Sequence, residues 1–558
     1  MIDYNQCKSK DLCTIDTLIR SSEFAKAHAL LNEILSKIKG TAKSERIFLA
    51  NLCRRLGMSL RSLKLLHSNV RTFQKNPKQQ KISSLEIAEY GGALIQLGSS
   101  HEALKLFNLF IRQNVKVPEL DSKEFQERYR HAVKTHPDLY FQLAMGKIRS
   151  WDYEGALISL NTLCEIESAY WKLVCSVNKA ACLVHLKRTK GARPFLLDLI
   201  RETQEMQTQR LHNNCLELLA QLEIFDSRPA EAILILQNLK NKHRGPSREN
   251  LFCNKWSAFA KALTEPWSVD LQREFDEVRK QATVLGDSET LREIDRMISI
   301  KTKDMSLFQK VYFGTTYLTY KNELLEDFKS GFGKDFAPPS TYDINIQKTK
   351  SKTVKLTVVS FPEKKEIPKK NSISIDLTKG LVQHWEAQQN GEGKGELTKK
   401  SVASRKILSA ILETLLKDFY RSPTTLEIFE SVYPDQYYNP YTSPNRLNQN
   451  ILRLRNEIKL AKIPLEIVFS DGTYKIIPIE SHEVNIRLGK LAVHPQHFEL
   501  RKILEHLKEE DFQIQHAVKI CKIPRRSLVR KLAIAQKEGL VQAFGKGRAR
   551  RYRVLEST

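Results

Sequence analysis

The chain has 558 residues, 41% of them hydrophobic, which is enough for roughly three to five domains with cores of their own. Its 90 Lys and Arg residues outnumber 64 Asp and Glu, and the net charge of +26 favours a polyanionic partner or an acidic protein surface. No apolar run approaches the roughly 20 residues that cross a bilayer, and "MIDYNQCKSKDLC" lacks the features of a signal peptide. Nine scattered cysteines without a CxxC pair indicate reduced thiols. We therefore expect a cytoplasmic protein with no membrane contact, no metal and no cofactor.

Residues 1 to 300 have the pattern of successive amphipathic helices in which small residues recur. In "LEIAEYGGALIQLGSSHEALKLFNLFI", Gly91 precedes Ala103 by twelve positions, and Phe107 follows four positions later. Five further segments repeat this arrangement, at Ala27; at Ala50, Gly57, Ser62 and Leu66; at Ala144, Ala156 and Leu160; at Ala180, Ala192 and Leu196; and at Ala220, Ala232 and Leu236. Two small residues allow paired antiparallel helices to approach closely, and the larger residue fills the gap toward the next pair.

This pattern resembles the tetratricopeptide repeat (TPR) over about six units between residues 12 and 240. The spacing between successive second small residues runs from 35 to 53, longer than the 34 of the family, so the units are degenerate or extended. An irregular helical bundle is the alternative. Either arrangement predicts an α-solenoid-like surface for a protein or peptide partner rather than an active site. The helical segments of residues 250 to 300 should cap the open end.

The residue pattern from about 330 to 400 is typical of a small β-sheet. Alternating apolar residues at Val354, Leu356 and Val358, with Pro and Gly between such runs, predict short antiparallel strands. The Gly-rich "NGEGKGEL" lacks the Lys-Ser or Lys-Thr pair of a phosphate-binding loop and is better explained as a hairpin turn. The sequence has no nucleophile elbow, HExxH motif or paired catalytic residues. We therefore assign no catalytic residue and do not expect an enzyme.

Three helices and a hairpin follow the sheet. The helices are "ILSAILETLL", "LEIFESVYP" and "SPNRLNQNILRLRNEIK", and "IPLEIVFSDGTYKIIP" gives two strands around Asp471-Gly472. Together with the Leu-Thr of "ELTKKS", this order resembles the winged-helix effector domain of OmpR/PhoB-type response regulators, over residues 352–478. The resemblance implies a third helix in the DNA major groove, a preceding loop that touches RNA polymerase, and a wing on the DNA backbone or minor groove. Because no receiver domain precedes this segment, phosphorylation is not expected to be its switch.

The third helix separates into two faces on a helical wheel. The inward stripe is Leu447, Ile451, Leu454 and Ile458. The opposite face is Asn445, Gln449, Leu452, Arg453 and Asn456. Amides can pair with adenine, Arg with guanine and an exposed Leu with the thymine methyl group, so this face is a candidate for reading bases. A solvated polar face is the alternative, although such faces more often carry Glu-Lys pairs. The flanking Arg446, Arg455 and Lys459 suit phosphates.

Residues 497–558 have the pattern of three helices and a two-stranded wing, which resembles the broad winged helix-turn-helix superfamily. Leu528, Leu532 and Ala535 should point inward. From Lys519 onward the sequence contains 12 Lys or Arg residues and 2 acidic residues, which gives a net charge of +10. A charge density of this kind is typical of a surface that contacts the DNA backbone. A soluble basic tail is the alternative, but Tyr552 and Val554 alternate with arginines as a folded strand requires. The candidate DNA contacts are Arg525, Arg526, Arg530, Lys537, Lys546, Arg548, Arg550 and Arg551.

The sequence thus predicts a mainly α protein: an N-terminal TPR-like α-solenoid (1–300), a connector (301–351), an α+β winged-helix domain (352–478), a linker (479–496) and a second winged helix (497–558). We expect a DNA-binding transcriptional regulator whose array docks a protein or peptide and buries or releases the DNA face. The expected partner, besides the protein or peptide bound by the array, is double-stranded DNA. RNA polymerase is a further candidate partner, and the chain is a candidate homodimer. The alternative is a non-enzymatic scaffold or adaptor whose winged helices bind protein or RNA.

Overall fold

The computed structural model is mainly helical. It describes residues 9–21, 23–37, 43–79, 81–114, 123–240, 247–339, 341–348, 354–359, 372–376, 381–386, 396–400, 406–434, 436–461, 463–479, 483–489, 507, 511–521, 524–537, 541–545 and 551–554. Two compact bodies are present. The first comprises Met1–Phe336, Lys417–Gln449 and Phe469–Lys475, and the second comprises Ala337–Leu416, Asn450–Val468 and Ile476–Thr558. No helix of the described ranges is long and apolar enough to cross a membrane.

The N-terminal part of the first body is a series of helices packed as consecutive pairs. The helices are α1 (Lys10–Arg20), α2 (Phe24–Lys37), α3 (Lys43–Arg55), α4 (Ser59–Lys75), α5 (Ser84–Gln96), α6 (Ser100–Asn114), α7 (Lys123–Thr135), α8 (Pro137–Arg149), α9 (Tyr153–Leu163), α10 (Ala169–His185), α11 (Thr189–Glu205), α12 (Gln209–Phe225), α13 (Pro229–Lys240), α14 (Arg248–Thr264), α15 (Val269–Leu285), α16 (Ser288–Thr302), α17 (Met305–Phe313) and α18 (Leu318–Phe332). Neighbours such as α3 and α4, α5 and α6, and α12 and α13 pack against each other. We call this series the array.

Several turns between successive helices share one geometry, which ends one helix and starts the next. A single residue takes up the left-handed conformation at Gly57, Gly98, Trp151, Lys187, Gln207, Ser227, Gly286 and Lys303. The next residue returns its N–H to the carbonyl five positions earlier, as Ser99 does to Leu94 at 3.0 Å. This is the Schellman arrangement, which satisfies the otherwise unpaired carbonyls of a helix end.

The small residues of the predicted repeat lie where the paired helices touch. Those that are fully buried are Ala27, Ala50, Ser62, Ala103, Ala144, Ala156, Ala180, Ala192, Ala220 and Ala232. At Gly91 an added Cβ would lie 2.2 Å from the Phe107 ring, so only glycine leaves room for that side chain. These contacts confirm the helical repeat. The long spacing of 53 residues between Ala103 and Ala156 arises because α7 is inserted between two pairs.

The expected connector, 301–351, contains the helices α17 and α18 and the first strand of the second body's sheet. The strands of that sheet are β1 (Thr341–Lys348), β2 (Val354–Val359), β3 (Ser372–Asp376), β4 (Leu381–Glu386), β5 (Glu396–Lys400) and β8 (Glu483–Gly489), in the order β2-β1-β8-β3-β4-β5. The pairing of β4 with β5 is antiparallel, as the hairpin interpretation of "NGEGKGEL" requires, although residues 387–395 lie outside the described ranges.

The expected linker, 479–496, contains β8, which sits between β1 and β3 and runs parallel to β3. The sheet is therefore mixed, whereas the sequence predicted antiparallel strands. Val484, Ile486 and Leu488 of β8 alternate toward the core and are buried. On the other face, Arg487 forks onto Asp343 of β1 at 2.8 and 2.9 Å. Burial of alternate residues makes β8 a sheet strand rather than a connecting segment.

Two helix–helix–hairpin segments follow. The first has α19 (Lys406–Leu415), α20 (Thr425–Val432), α21 (Ser443–Leu460), β6 (Leu465–Ser470) and β7 (Thr473–Pro478), and the second has α22 (Ile514–Cys521), α23 (Arg525–Lys537), β9 (Val541–Phe544) and β10 (Arg551–Val554). In the first segment Thr424, directly before α20, forms an isolated bridge with Thr473 of β7. In the second segment Phe512, before α22, forms the corresponding bridge with Tyr552 of β10. The two segments therefore share one chain order. The helix expected in "HFELRKILEHLKEE" lies outside the described ranges, apart from Leu507.

Candidate nucleic-acid interface

Helix α21 has the two faces that its sequence predicts. Leu447, Ile451, Leu454 and Ile458 are at most 5% exposed. The side chains of the opposite face are all exposed: Asn445, Gln449, Leu452, Arg453 and Asn456. Leu452, the one aliphatic side chain among the five, is 56% exposed. We call these five residues the reading face.

Two side-chain contacts tie α21 to the hairpin. The Tyr474 hydroxyl donates to Asn448 Oδ1 at 2.6 Å, and Arg455 donates through Nε and Nη2 to the Ile467 carbonyl at 3.0 and 2.7 Å. The hairpin turn is formed by Asp471 and Gly472, both with positive φ (52° and 77°), as in a type I′ turn. The helix is thereby held at a fixed angle to the hairpin.

The flanking cations that the sequence assigned to phosphates differ in their surroundings. Arg455 uses two of its nitrogens on the Ile467 carbonyl. Arg446 donates to Gln436 Oε1 at 2.6 Å, and its guanidinium lies 3.9 Å from the centre of the Tyr433 ring. Lys459 is exposed near the end of α21. Arg446 and Arg455 therefore also hold the fold of this segment together, a role that the sequence pattern did not reveal.

The C-terminal segment has its own small core of Leu507, Phe512, Ala517, Leu528, Leu532, Val541 and Tyr552. Its candidate residues Arg525, Arg526 and Arg551 are exposed. Arg530 and Lys537 lie on α23, but their side chains are outside the described set, and Lys546, Arg548 and Arg550 lie outside the described ranges. Arg553, which was not among the candidates, forks onto Asp511 at 2.6 and 2.8 Å.

The sequence did not predict that helix α20 packs on the array. The Thr424 hydroxyl donates to the Leu97 carbonyl at 2.9 Å while also capping α20 through Glu427. The Ser99 hydroxyl donates to Glu430 Oε2 at 2.6 Å. Residues 97–99 form the turn between α5 and α6, so α20 is held against the edge of one repeat.

The aromatic loop after α20, residues 433–442, continues this contact. The Tyr438 N–H donates to Glu102 Oε1 at 2.8 Å, and Lys105 Nζ donates to the Pro434 carbonyl at 3.1 Å. The Tyr441 hydroxyl donates to the Lys64 carbonyl at 3.0 Å. Helices α4 and α6 therefore hold the loop that leads into α21, while a separate contact of residues 418–420 lies at α16 and α17.

Glu102 has a strongly shifted pKa in the contact of the array with the loop. The pKa of its carboxyl is raised to about 7, mainly by burial and also by the negative charge of Glu430, while the Tyr438 N–H, Lys105 and Arg71 lower it. Only 4% of the residue is exposed. The carboxyl therefore changes its protonation state near neutral pH in a contact that joins two distant parts of the chain.

The five side chains of the reading face are exposed. The expectation that the array buries or releases the DNA face stays a prediction. The described residues also contain no group of three or more His, Cys, Asp or Glu residues that could hold a metal ion.

Comparison with known proteins finds structural likeness only. No family model and no curated protein matches the chain. It is similar to a Rap protein complexed with competence and sporulation factor, with 13% identity, 58% of this chain and 91% of that chain covered, and a TM-score of 0.42. Two further similar structures are the Rap conjugation gene regulator of plasmid pLS20 with the Phr* peptide (10% identity, 57% and 83% covered, TM-score 0.32) and the apo form of RapI (13%, 57% and 88%, 0.34).

Proposed function

We propose that this chain is a non-enzymatic DNA-binding regulator of transcription. In this proposal α21 reads bases, the C-terminal segment binds phosphates, and the array binds a protein or peptide. The observation that carries the proposal is the reading face of α21. Its amides, Arg453 and Leu452 are exposed together on a helix whose opposite stripe is buried. Such a set matches the donors, acceptors and methyl group that bases present in the major groove.

The chain order around α21 supports the winged-helix interpretation. A residue in an isolated bridge, two helices and a hairpin occur twice, with the bridges Thr424 to Thr473 and Phe512 to Tyr552 in corresponding places. In the second copy Arg525 and Arg526 are exposed at the start of α23 and Arg551 is exposed on the hairpin. A helix start with exposed arginines is suited to the phosphate backbone.

The test is binding of the full-length chain to genomic DNA fragments at several salt concentrations, followed by sequencing of the bound fragments. We expect a selected sequence and an affinity that falls steeply with salt. Arg453→Ala should relax the selection at one base pair at a cost of about 1–3 kcal/mol. Arg526→Ala should weaken binding to all DNA fragments alike, and it should lower the slope of log affinity against log salt concentration by about 1. Uniform binding that Arg453→Ala leaves unchanged would exclude a base-reading α21.

A protein-binding role for the first helix–helix–hairpin segment is the second candidate. It is supported by the contacts that α20 and the loop 433–442 make with the array, because in these contacts the segment packs on protein. RNA polymerase could reach this loop only if the loop left the array. Selection of a DNA sequence by α21 separates the two candidates, since a pure adaptor selects none.

A further inference from the structure

Three consecutive residues, Asp418, Phe419 and Tyr420, make a compact set of contacts with α16, α17 and the turn after α17. Each residue supplies a different kind of contact: a charge, a ring with its backbone N–H, and a ring with a hydroxyl. The three residues that make these contacts are consecutive in the chain, as in a short linear peptide on its receptor.

Asp418 supplies the charge. Its two carboxylate oxygens accept from Arg292 Nη2 at 2.9 and 2.8 Å. The Arg292 side chain is 0% exposed and also pairs with Glu289. Its guanidinium carbon lies 5.3 Å from the ring centres of both Tyr317 and Tyr420. A buried arginine between two rings strongly favours a carboxylate partner, because an unpaired charge there would lose its solvation without compensation.

Phe419 supplies the first ring. Its N–H donates to the Gly314 carbonyl at 3.2 Å. An added Cβ at Gly314 would lie 2.4 Å from the Phe419 ring. Because glycine has no side chain, the ring can occupy this space. The array thus offers a backbone acceptor and an adjoining space for an aromatic ring at the same residue.

Tyr420 supplies the second ring and the hydroxyl. The hydroxyl donates to Asp295 Oδ2 at 2.8 Å, and Lys310 Nζ lies 5.1 Å from the ring centre. Asp295 also pairs with Lys310 and Arg279, each at 2.7 Å. Burial opposes the charge of Asp295, but these two cations hold the pKa of its carboxyl below the usual range. An ionised acceptor is therefore in place for a tyrosine hydroxyl.

The bound shape of the stretch is made by its own residues. Asp418 Oδ1 accepts the backbone N–H groups of Tyr420 at 2.9 Å and Arg421 at 3.0 Å. Such a turn, in which an aspartate side chain bonds to the N–H two residues on, forms within a few residues of chain. A short peptide with this sequence can consequently adopt the same shape without the rest of the segment.

We propose that Arg292, Asp295, Lys310 and Gly314 form a docking site for a linear motif of an acid followed by two aromatic residues, the last a tyrosine. Asp418, Phe419 and Tyr420 occupy this site in cis, and a protein partner that carries the same motif occupies it in trans. Occupation in trans detaches residues 418–420, which lead into α20, from this end of the array. The proposal deepens the partner-binding part of the proposed function and does not rest on DNA binding.

Competition within the chain determines how the site must be tested. A tethered ligand acts at an effective concentration in the millimolar range, so a free peptide competes poorly with the intact chain. Weakening the cis ligand should open the site without altering the array. The variant Asp418→Asn,Tyr420→Phe keeps the size of both side chains and removes the carboxylate charge and the hydroxyl.

The experiment is a titration of a fluorescent peptide of residues 416–424 with the full-length chain, followed by fluorescence anisotropy. We expect the double variant to bind the peptide at least about tenfold more tightly than the wild-type chain, because its cis ligand is weaker. Peptides with Asp418→Asn or with Tyr420→Phe should each bind the double variant about tenfold more weakly than the natural peptide. These peptide changes cannot affect the folding of the protein.

Equal binding of the peptide by the wild-type chain and the double variant would overturn the proposal, as would equal binding of the natural and altered peptides. Arg292→Lys in the double variant keeps the positive charge and loses the fork, so it should also weaken binding of the natural peptide. None of these measurements contains DNA. A failure of DNA binding therefore leaves the docking site untouched, and a failure of peptide binding leaves the reading face untouched.

Discussion

The Glu102 carboxylate accepts the backbone N–H of Tyr438 at 2.8 Å, although the two residues lie 336 positions apart in the chain. One belongs to the second helix of a repeat and the other to the loop that precedes α21. The loop that precedes α21 is therefore held in part by a buried carboxyl on the array.

The packing of the loop around Tyr438 on Glu102 should weaken as the pH rises. Burial raises the pKa of the carboxyl from 4.5 to about 7 although the Tyr438 N–H lowers it, so the packed state as a whole favours the protonated acid. Its contribution is complete below pH 4.5 and is lost as the pH rises through about 7, by up to roughly 3 kcal/mol. Hydrogen exchange of the Tyr438 amide, corrected for its intrinsic pH dependence, measures how the free energy of opening of this contact changes with pH. Glu102→Gln keeps an acceptor that does not titrate and should flatten the profile; an unchanged slope in this variant would contradict the prediction.

Gly91→Ala should destabilise the array. The new Cβ would lie 2.2 Å from the Phe107 ring inside a packed helix pair, and overpacking of this kind costs about 1–3 kcal/mol. The matched control is Gly191→Ala in α11, where a Cβ would meet nothing within 4 Å and should stabilise the helix by up to about 1 kcal/mol. Urea unfolding followed by circular dichroism compares the two variants. If Gly91→Ala unfolds at the same urea concentration as wild type, the close approach is not a requirement of the repeat.

The sequence was informative about the array because its packing rule is local. Residues such as Gly91, Ala103 and Phe107 lie within 16 positions of one another, and their spacing alone places two helices in contact. The same holds for α21, whose stripe from Leu447 to Ile458 needs only the 3.6-residue period. The helix–helix–hairpin order and the Asp471-Gly472 turn also follow from neighbouring residues.

The contacts between distant segments could not be predicted from one sequence. Ser99 and Glu430 are 331 positions apart, and neither residue belongs to a periodic pattern that points to the other. The strand β8 was missed although its alternation, Val484, Ile486 and Leu488, is as long as that of Val354, Leu356 and Val358. Its partner strands, β1 and β3, lie far earlier in the chain, beyond the three helices and the hairpin. For the two contacts of residues 418–442 with the array the available signals were weak: an aromatic-rich loop and the glycines Gly98 and Gly314, whose meaning depends on what packs against them.

Asp471→Asn should raise the affinity of the chain for DNA. Asp471 is exposed at the tip of the hairpin with φ near 52°, and Asn is among the residues that tolerate this conformation, so the turn should be retained. The substitution removes one negative charge from a surface that, under the proposed function, faces phosphates. We expect a gain of a few-fold at low salt that shrinks as salt is added, since the effect is electrostatic. Equal affinities at every salt concentration would remove the hairpin tip from the DNA contact.

Arg453 and Arg455 are two positions apart on α21 and should behave oppositely when each is replaced by alanine. Arg455 donates to the Ile467 carbonyl through two nitrogens, so Arg455→Ala removes a tie between helix and hairpin and should lower the free energy of unfolding by about 1 kcal/mol. Arg453 lies on the exposed reading face and makes one long hydrogen bond, at 3.3 Å, to Asn450. Arg453→Ala should therefore leave stability nearly unchanged and weaken binding to the selected DNA sequence. Thermal unfolding and DNA titration of both variants separate the two roles. A loss of stability in Arg453→Ala as large as that in Arg455→Ala would mean that the reading face holds the fold together and is not reserved for DNA.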